Sequence, residues 1–403
     1  MQSPPPEPAP MSIDELLDGA RDRYENSTDF TLGIEEEYAL CDPTTLDLVP
    51  EYDRANALAP EYGLATAVAG ELLASEIEFR TGRCECWSDA VTELTQVRAS
   101  VARMMLSLDL AVGTSGTHPW ADYREQEKID LPYYRRLVEK LQYVAHRNNT
   151  FGLHVHVGVR GVDRAVAVAD ALRTVQPLLL ALSASSPFID GRDSGLCSTR
   201  SMTFSRTFPR GNIAPAFGTW QAFTDYVRFL RDVGSIDTFG QMWWGVRVHA
   251  LHGTVELRMF DGQPDVRDTL ALAALAVGTV ADLCGRYDAG ELAGPLPEHL
   301  IDENSWRATR FGTAGEMIDL PGTKVLETTE LIARLIANAR VAGTAAGLGL
   351  DAGLDRCEAM LARGCSALVQ RAASEAAGGE LLPAYRQVVE TTMTSAVEAP
   401  TRA

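Results

Sequence analysis

The run Thr31-Leu32-Gly33-Ile34-Glu35-Glu36-Glu37-Tyr38-Ala39-Leu40 sets three consecutive carboxylates between apolar residues. Side chains alternate along a β-strand, so Glu35 and Glu37 share one face with Gly33 while Ile34, Glu36 and Tyr38 take the other. Two unit charges 4 Å apart repel by roughly 4 kcal/mol at an effective dielectric of 20. A divalent cation is the natural counterweight, and the competing reading is an edge strand whose solvated acidic face discourages aggregation.

Other stretches repeat the pattern. In Glu71 to Gly82 (ELLASEIEFRTG) alternation sets Glu76 and Glu78 opposite Ile77 and Phe79, a second acidic strand face. Phe151 to Val159 (FGLHVHVGV) aims His154 and His156 at one side and its valines at the other, and its flanking glycines carry no evident signal. Histidine is the commonest metal ligand, and a His-x-His strand suits one ion. Gly253 to Asp261 places Glu256 and Arg258 on one face, a carboxylate for metal and a guanidinium for phosphate or carboxylate. Trp243 to His249 reads as a strand carrying Arg247. The segment 186–217 is a long irregular loop with Arg192, Arg200, Arg206 and Arg210, a concentration that favours an anion site in an acidic chain.

The remaining chain is largely helical in period. Residues 11–26 read as an amphipathic helix with Ser12 as N-cap and Glu15 at the capping-box position. Further helices are expected over 90–112, 132–147, 163–185 (with a kink or break at Pro177), 219–233, 266–287, 325–342 and 354–377. His118 falls in a Gly-rich loop and reads as solvated, and Asn304 to Gly312 reads as a loop. The Pro-rich residues 1–10 read as a disordered tail, 11–390 as a single catalytic domain with helix 11–26 and a helical part 313–390, and 391–403 as a tail.

Composition narrows the class. A chain of 403 residues can bury a large core, and 46% hydrophobic with 23% charged residues is ordinary for a globular protein. The net charge of −19 argues against nucleic acid and anionic membrane as partners, since both are bound by basic surfaces. Seven cysteines without a repeating spacing, and an N-terminus without a basic and apolar leader, predict a cytoplasmic protein. The apolar stretch 270–281 is too short to span a bilayer and reads as a buried helix.

Taken in order, Gly33-Ile34-Glu35-Glu36-Glu37, Glu78-Phe79-Arg80-Thr81-Gly82, Gly152-Leu153-His154-Val155-His156-Val157-Gly158, Leu178 to Phe188, Thr199-Arg200-Ser201, Thr254-Val255-Glu256-Leu257-Arg258 and Asn304-x-Trp306-x-Ala308 resemble the carboxylate-amine ligase family, also called glutamate-cysteine ligase type 2. The resemblance implies an α+β, glutamine-synthetase-like catalytic fold: a curved, largely antiparallel sheet, helices on its convex face, and ATP with Mg²⁺ on its concave face. It implies Glu35, Glu37, Glu78, Glu256 and His154 as metal ligands, and Arg258, Glu256 and Arg247 as catalytic. It further implies Arg200, Arg258, Asn304 and Arg310 at the nucleotide, and Arg200, Arg247, Gly245 and His156 at the substrate. The activity implied is amide formation between a small acid and an amine through an acyl phosphate; a homodimer is left open.

One departure stands out. The family usually reads Trp-Asp-x-Arg where this chain has Trp244-Gly245-Val246-Arg247, so a carboxylate expected beside Arg247 is missing and glutamate and cysteine cannot be assumed as substrates. Three other readings remain: a zinc hydrolase using His154 and His156, with His118, His146, His249, His252 and His299 in no comparable pattern; an ATP-dependent phosphotransferase; and a non-catalytic nucleotide or metabolite binder. The carboxylates favour Mg²⁺ over zinc, and no Gly-rich Lys-Ser/Thr phosphate loop occurs.

Overall fold

A computed structural model describes residues 12–398; the tail expected over 1–10 lies outside them. The first described element is the helix Ile13–Glu25, which begins as its sequence dictates. The Ser12 hydroxyl accepts from the Glu15 N–H, and the Glu15 carboxylate accepts from the Ser12 N–H at 2.9 Å, so two otherwise unpaired donors are satisfied reciprocally.

The strands run in chain order as β1 (Leu32–Cys41), β2 (Val68–Gly70), β3 (Glu76–Arg80), β4 (Ala111–Gly113), β5 (Gly152–Gly158), β6 (Phe188–Ile189), β7 (Arg192–Asp193), β8 (Val246–His249), β9 (Thr254–Asp261), β10 (Glu316–Ile318) and β11 (Val325–Glu327). Seven form one sheet in the order β2-β3-β1-β5-β9-β8, with β4 also on β1, and every pairing in it is antiparallel. The acidic run is therefore a central strand, not a solvated edge.

One face is apolar. Ile34, Tyr38, Ile77, Phe79, Leu153, Val155, Val157, Val255 and Leu257 are all buried there. Helices Val162–Ser183 and Val266–Asp288 cover this sheet, and helices Thr328–Ala345 and Asp351–Arg363 pack in turn on the second of them. By length and composition those two covering helices could cross a membrane, contrary to the expectation drawn from the 270–281 stretch alone. Burial of 72% and 89% of their apolar windows inside the protein marks them as core helices instead.

Glu36 is the one carboxylate of the acidic run on the apolar face. Arg98, from helix Trp87–Ser107, meets it bidentately, with Nε 2.8 Å from Oε2, while Tyr38 and Thr269 hydroxyls donate at 2.5 and 2.7 Å. Arg98 also donates to the carbonyls of Gln263 and Pro264, each at 2.8 Å, tying β1 to the chain that enters helix Val266–Asp288. Burial would push the Glu36 carboxyl up, but Arg98 and the hydroxyls outweigh it and hold it below the usual range.

Several elements depart from the sequence expectation, each for a local reason. The helix expected over 90–112 ends at Ser107, and Ala111–Gly113 turns back as β4 along β1. The helix over 132–147 breaks at Gln142, whose φ is +50°. Helix Val162–Ser183 runs through Pro177 without interruption. Asn304 to Phe311 is helix, not loop, within Glu298–Phe311. The 354–377 stretch is two helices, Asp351–Arg363 and Ser366–Ala376, divided at Gly364 with φ +86°. Helix Leu381–Glu398 occupies most of the segment expected to be a C-terminal tail.

Breaking a buried ion pair from one side strands the other charge, at about 3–5 kcal/mol. Arg98→Met is expected to lower unfolding stability by about that amount, read by chemical denaturation near neutral pH. The loss should shrink in acid: Glu36 titrates lower folded than unfolded, so its contribution is present above the unfolded value and fades as pH falls through the folded one.

Candidate active site

Antiparallel register builds the polar face. Glu35 lies opposite His154 on β5 and Arg80 on β3; Glu37 lies opposite Glu78; Glu256 lies opposite His156 and Arg247. Between the pairs Leu153–Phe260 and Val155–Leu257, one residue of β5, His154, faces two of β9, Arg258 and Met259, a bulge that includes Arg258. Bulges commonly re-aim a side chain next to a functional site.

The face divides electrostatically. In one part the carboxylates meet cations. Glu256 is fully buried and accepts from Arg247 Nε at 2.5 Å and Nη2 at 3.0 Å and from Arg258 Nη1 at 2.6 Å. Burial opposes its ionisation, but these two guanidinium groups hold it well below the usual range. Glu35 Oε2 is 3.1 Å from His154 Nδ1, and Glu35 Oε1 is 3.4 Å from His156 Nε2. Those contacts likewise outweigh burial and hold Glu35 well down. His156 is raised, since Glu256 and Glu35 overcome its burial, whereas His154 is lowered by burial and by Arg258.

In the other part carboxylate faces carboxylate. Burial and the like charges of Glu37, Glu71 and Glu35 push Glu76 and Glu78 well above the usual range, and burial with Glu37 pushes Glu71 up to about 8. Glu76 Oε2 is buried with no hydrogen-bond partner. Two sets of donor atoms lie within 4.8 Å of one another, Glu35 with His154 and Glu256, and Glu37 with Glu78 and His154. The orphaned oxygen and the clustered carboxylates fit a hard divalent cation, which takes oxygen ligands and removes the repulsion. Neither set includes His156.

Two cavities flank this row. The first, ≈ 200 Å³, is bounded by Glu37, Glu71, Glu76, His154, Arg200, Arg247 and Arg258. The second, ≈ 660 Å³, is bounded by Glu35, His156, Arg23, Arg80, Arg83 and Thr254. Consecutive site residues on β1, Glu37 and Glu35, thus serve different cavities, as do His154 and His156 on β5.

Arg200 reaches the first cavity because Gly152, at the start of β5, has no side chain. A Cβ there would overlap its guanidinium, 2.9 Å from Cζ. This glycine has the role in close packing that the sequence did not disclose. Arg200 is 2% exposed; its guanidinium donates at 3.4 and 3.5 Å to the Arg258 carbonyl and leaves Nε without a partner. Of the other loop arginines, Arg206 pairs with Asp302 at 2.7 Å, Arg210 bonds the Gln241 and Ser235 carbonyls, and Arg192 is exposed.

Three expected site residues stand elsewhere. Gly245 does not border the cavity: a Cβ there would lie 2.5–2.9 Å from the Gln176 amide on the covering helix. Asn304 clasps the backbone of Ile318 in β10 with two 2.8 Å bonds, and Arg310 lies over the Phe311 ring, so neither reaches the two cavities. The motif Asn304-x-Trp306-x-Ala308 does not register that helix Glu298–Phe311 turns Asn304 and the neighbouring Arg310 to other partners. His118, expected to be solvated, is buried, bonded to the Leu46 carbonyl at 2.8 Å, and pushed down to about 4 by that burial. His249 and His252 stack at 4.5 Å and both pack edge-on against His156, a grouping the spacing did not reveal. Burial pushes both down. Glu71 and Glu76 belong to the stretch 71–82, whose alternation puts Glu76 on an acidic face, but the resemblance implies a role for neither; Tyr133, Phe204 and Trp243 come from three separate segments with no local signal.

The scaffold and its charged face suit a carbon–nitrogen ligase of the carboxylate-amine class, and kinship with known proteins shows that class. The profile of glutamate-cysteine ligase family 2 matches residues 31–390, and the chain belongs to that family. It is 38% identical over 307 residues to a glutamate–cysteine ligase of Natronomonas pharaonis, covering 75% of this chain and 82% of the relative. With a glutamate–cysteine ligase of Haloferax volcanii it shares 37% over 288 residues, 72% of this chain and 80% of the relative. The fold matches the crystal structure of glutamate–cysteine ligase from Francisella tularensis in complex with AMP, with TM-score 0.66 at 14% identity, covering 94% of this chain and 91% of that one.

Gly245→Asp is expected to act on packing. Overfilling a buried site typically costs 1–3 kcal/mol, so this variant should lose about that much stability without a selective loss for either substrate. Gln176→Ala added to it should restore most of the loss. Selective weakening of one substrate in the single variant, with stability unchanged, would return position 245 to the pocket.

Proposed function

We propose that this protein is an ATP-dependent ligase that joins a small acid to an amine through an acyl phosphate. The observation that carries the reading is the convergence of Glu37, Glu71 and Glu76 with Arg200, Arg247 and Arg258 on one cavity, with Glu78 opposite Glu37 in the sheet. An acid carboxylate attacks the γ-phosphorus of ATP and ADP departs; the amine then attacks the acyl carbon and phosphate departs. Both steps gather negative charge, which fixed guanidinium groups in a water-poor site stabilise without reorganising.

Within this reading Arg258 and Arg247 face the transferred phosphate, positioned by Glu256, and Arg200 receives the substrate carboxylate. Glu37 and Glu78 with His154, and Glu35 with His154 and Glu256, would hold Mg²⁺. Bound there, Mg²⁺ would offset the charge of the phosphates. We assign the nucleotide to the larger cavity, where Arg23, Arg80 and Arg83 supply cations and His156 lines the wall, and the acid to the smaller one. Transfer would then cross the row between Glu35 and Glu37. A cytoplasmic setting accords with seven cysteines of which none is in a disulfide.

ADP release in a matrix of acids and amines tests the activity. Chelation should abolish it and Mg²⁺, not zinc, should restore it; full recovery with zinc alone would remove the magnesium assignment.

Glu37→Gln is expected to reduce turnover by at least a hundredfold while the apo protein stays as stable or gains slightly, since an isosteric amide relieves repulsion but binds Mg²⁺ poorly. Glu256→Gln should also lose turnover but cost stability, because Arg247 and Arg258 are left facing a neutral group. Wild-type turnover in Glu37→Gln would sink the metal role of the acidic strand.

A further inference from the structure

The smaller cavity has a second character that amide formation by itself does not require. Beyond its arginines it is walled by Tyr133, Tyr134 and Leu137 from helix Pro132–Leu141, by Phe204 and Phe208 from the loop after β7, and by Trp243 just before β8. The rings form a continuous surface: Phe204 and Phe208 have centroids 4.5 Å apart, and Phe208 meets Trp243 edge-on at 5.2 Å. Phe204 sits in a five-residue π-helical turn, Ser201–Ser205, a form that recurs at functional sites. The same turn follows Arg200, whose guanidinium lies 5.7 Å from the Phe204 ring centroid. A cation for a carboxylate and an aromatic wall for what the carboxylate is attached to therefore arise within five residues.

Resting on the ligase reading above, we propose that the acid this enzyme activates is an aromatic monocarboxylic acid, the α-amino acids included, with its carboxylate toward Arg200 and its ring against Phe204, Phe208 and Trp243. A second carboxylate on the substrate is disfavoured for two reasons. It would be desolvated against ring faces, whose quadrupole is negative, and it would share the cavity with the carboxyl groups of Glu37, Glu71 and Glu76. Arg210, over Trp243 at 5.7 Å, is engaged with the Gln241 and Ser235 carbonyls and does not border the cavity. In the activated step one carboxylate oxygen bonds to the γ-phosphorus, and the bond from that phosphorus to the bridging oxygen breaks, releasing ADP. Hydroxylamine, standing in for the amine, then bonds through nitrogen to the acyl carbon. The carbon–oxygen bond of the acyl phosphate breaks, and phosphate leaves carrying the proton that the nitrogen gives up.

L-Phenylalanine and L-glutamate share the α-carboxylate and ammonium and differ only in the side chain, so they make the test. Binding of each to the full-length protein is measured by calorimetry with Mg²⁺ and a non-hydrolysable ATP analogue. ADP and hydroxamate are measured separately with ATP and hydroxylamine. Phenylalanine should bind at least tenfold more tightly than glutamate, and the difference should fall at least fivefold in Phe204→Leu and in Trp243→Ala, with affinity for the ATP analogue unchanged. Phe204 is only half-buried, so its variant keeps the test valid if Trp243→Ala does not fold. Equal or tighter binding of glutamate, or a preference untouched in Phe204→Leu, overturns the inference. Absence of ADP release with every acid overturns the ligase reading, while the binding comparison still decides the inference.

Discussion

Like charges held at close quarters organise this molecule. The central antiparallel strands bring Glu35, Glu37, Glu76, Glu78 and Glu256 onto one face, where like charges crowd together. What holds them is uneven. Glu35 and Glu256 are met by two histidines and two arginines and titrate low, whereas Glu71, Glu76 and Glu78 face one another and titrate high. A neutralised half and an acidic half therefore lie side by side, and the acidic half has the greater need of a cation from outside.

The opposite face supplies the free energy for this arrangement. Its isoleucines, valines and leucines are buried under helices Val162–Ser183 and Val266–Asp288, each residue contributing on the order of 1.5–3 kcal/mol. Glu36 shows how strict the alternation is: it belongs to the same acidic run, falls on the apolar face, and is kept there by Arg98 with two hydroxyls. The same element thus serves site and core in alternate residues.

Separation of the two cavities gives the polar face a direction. One side offers Arg23, Arg80 and Arg83 around a larger opening, and the other offers Arg200, Arg247 and Arg258 with an aromatic wall. Between them stands the row in which β1 and β5 each present one residue to either side. Guanidinium groups buried this deeply need room as well as charge, and Gly152 makes that room for Arg200.

Much of this was legible in the chain itself. Period-two alternation in 31–40, 76–80, 152–158 and 254–261 assigned strands and put Glu35, Glu37, Glu78, His154, His156, Glu256 and Arg258 on polar faces, because alternation is a local consequence of strand geometry. The order of motifs carried the family. Register was not legible: that Glu37 faces Glu78 and Glu256 faces Arg247 follows from how distant strands pair. Nor was the fate of residues placed by motif alone. Gly245 turns toward Gln176 and Asn304 clasps Ile318, since their directions are fixed by helices that pack from elsewhere in the chain. The aromatic wall was hidden for the same reason, its rings coming from three segments whose local patterns say nothing of one another. The sequence by itself determined which side chains could carry the chemistry; the tertiary structure decided which of them meet, because charge pairing and close packing act across space and not along the chain.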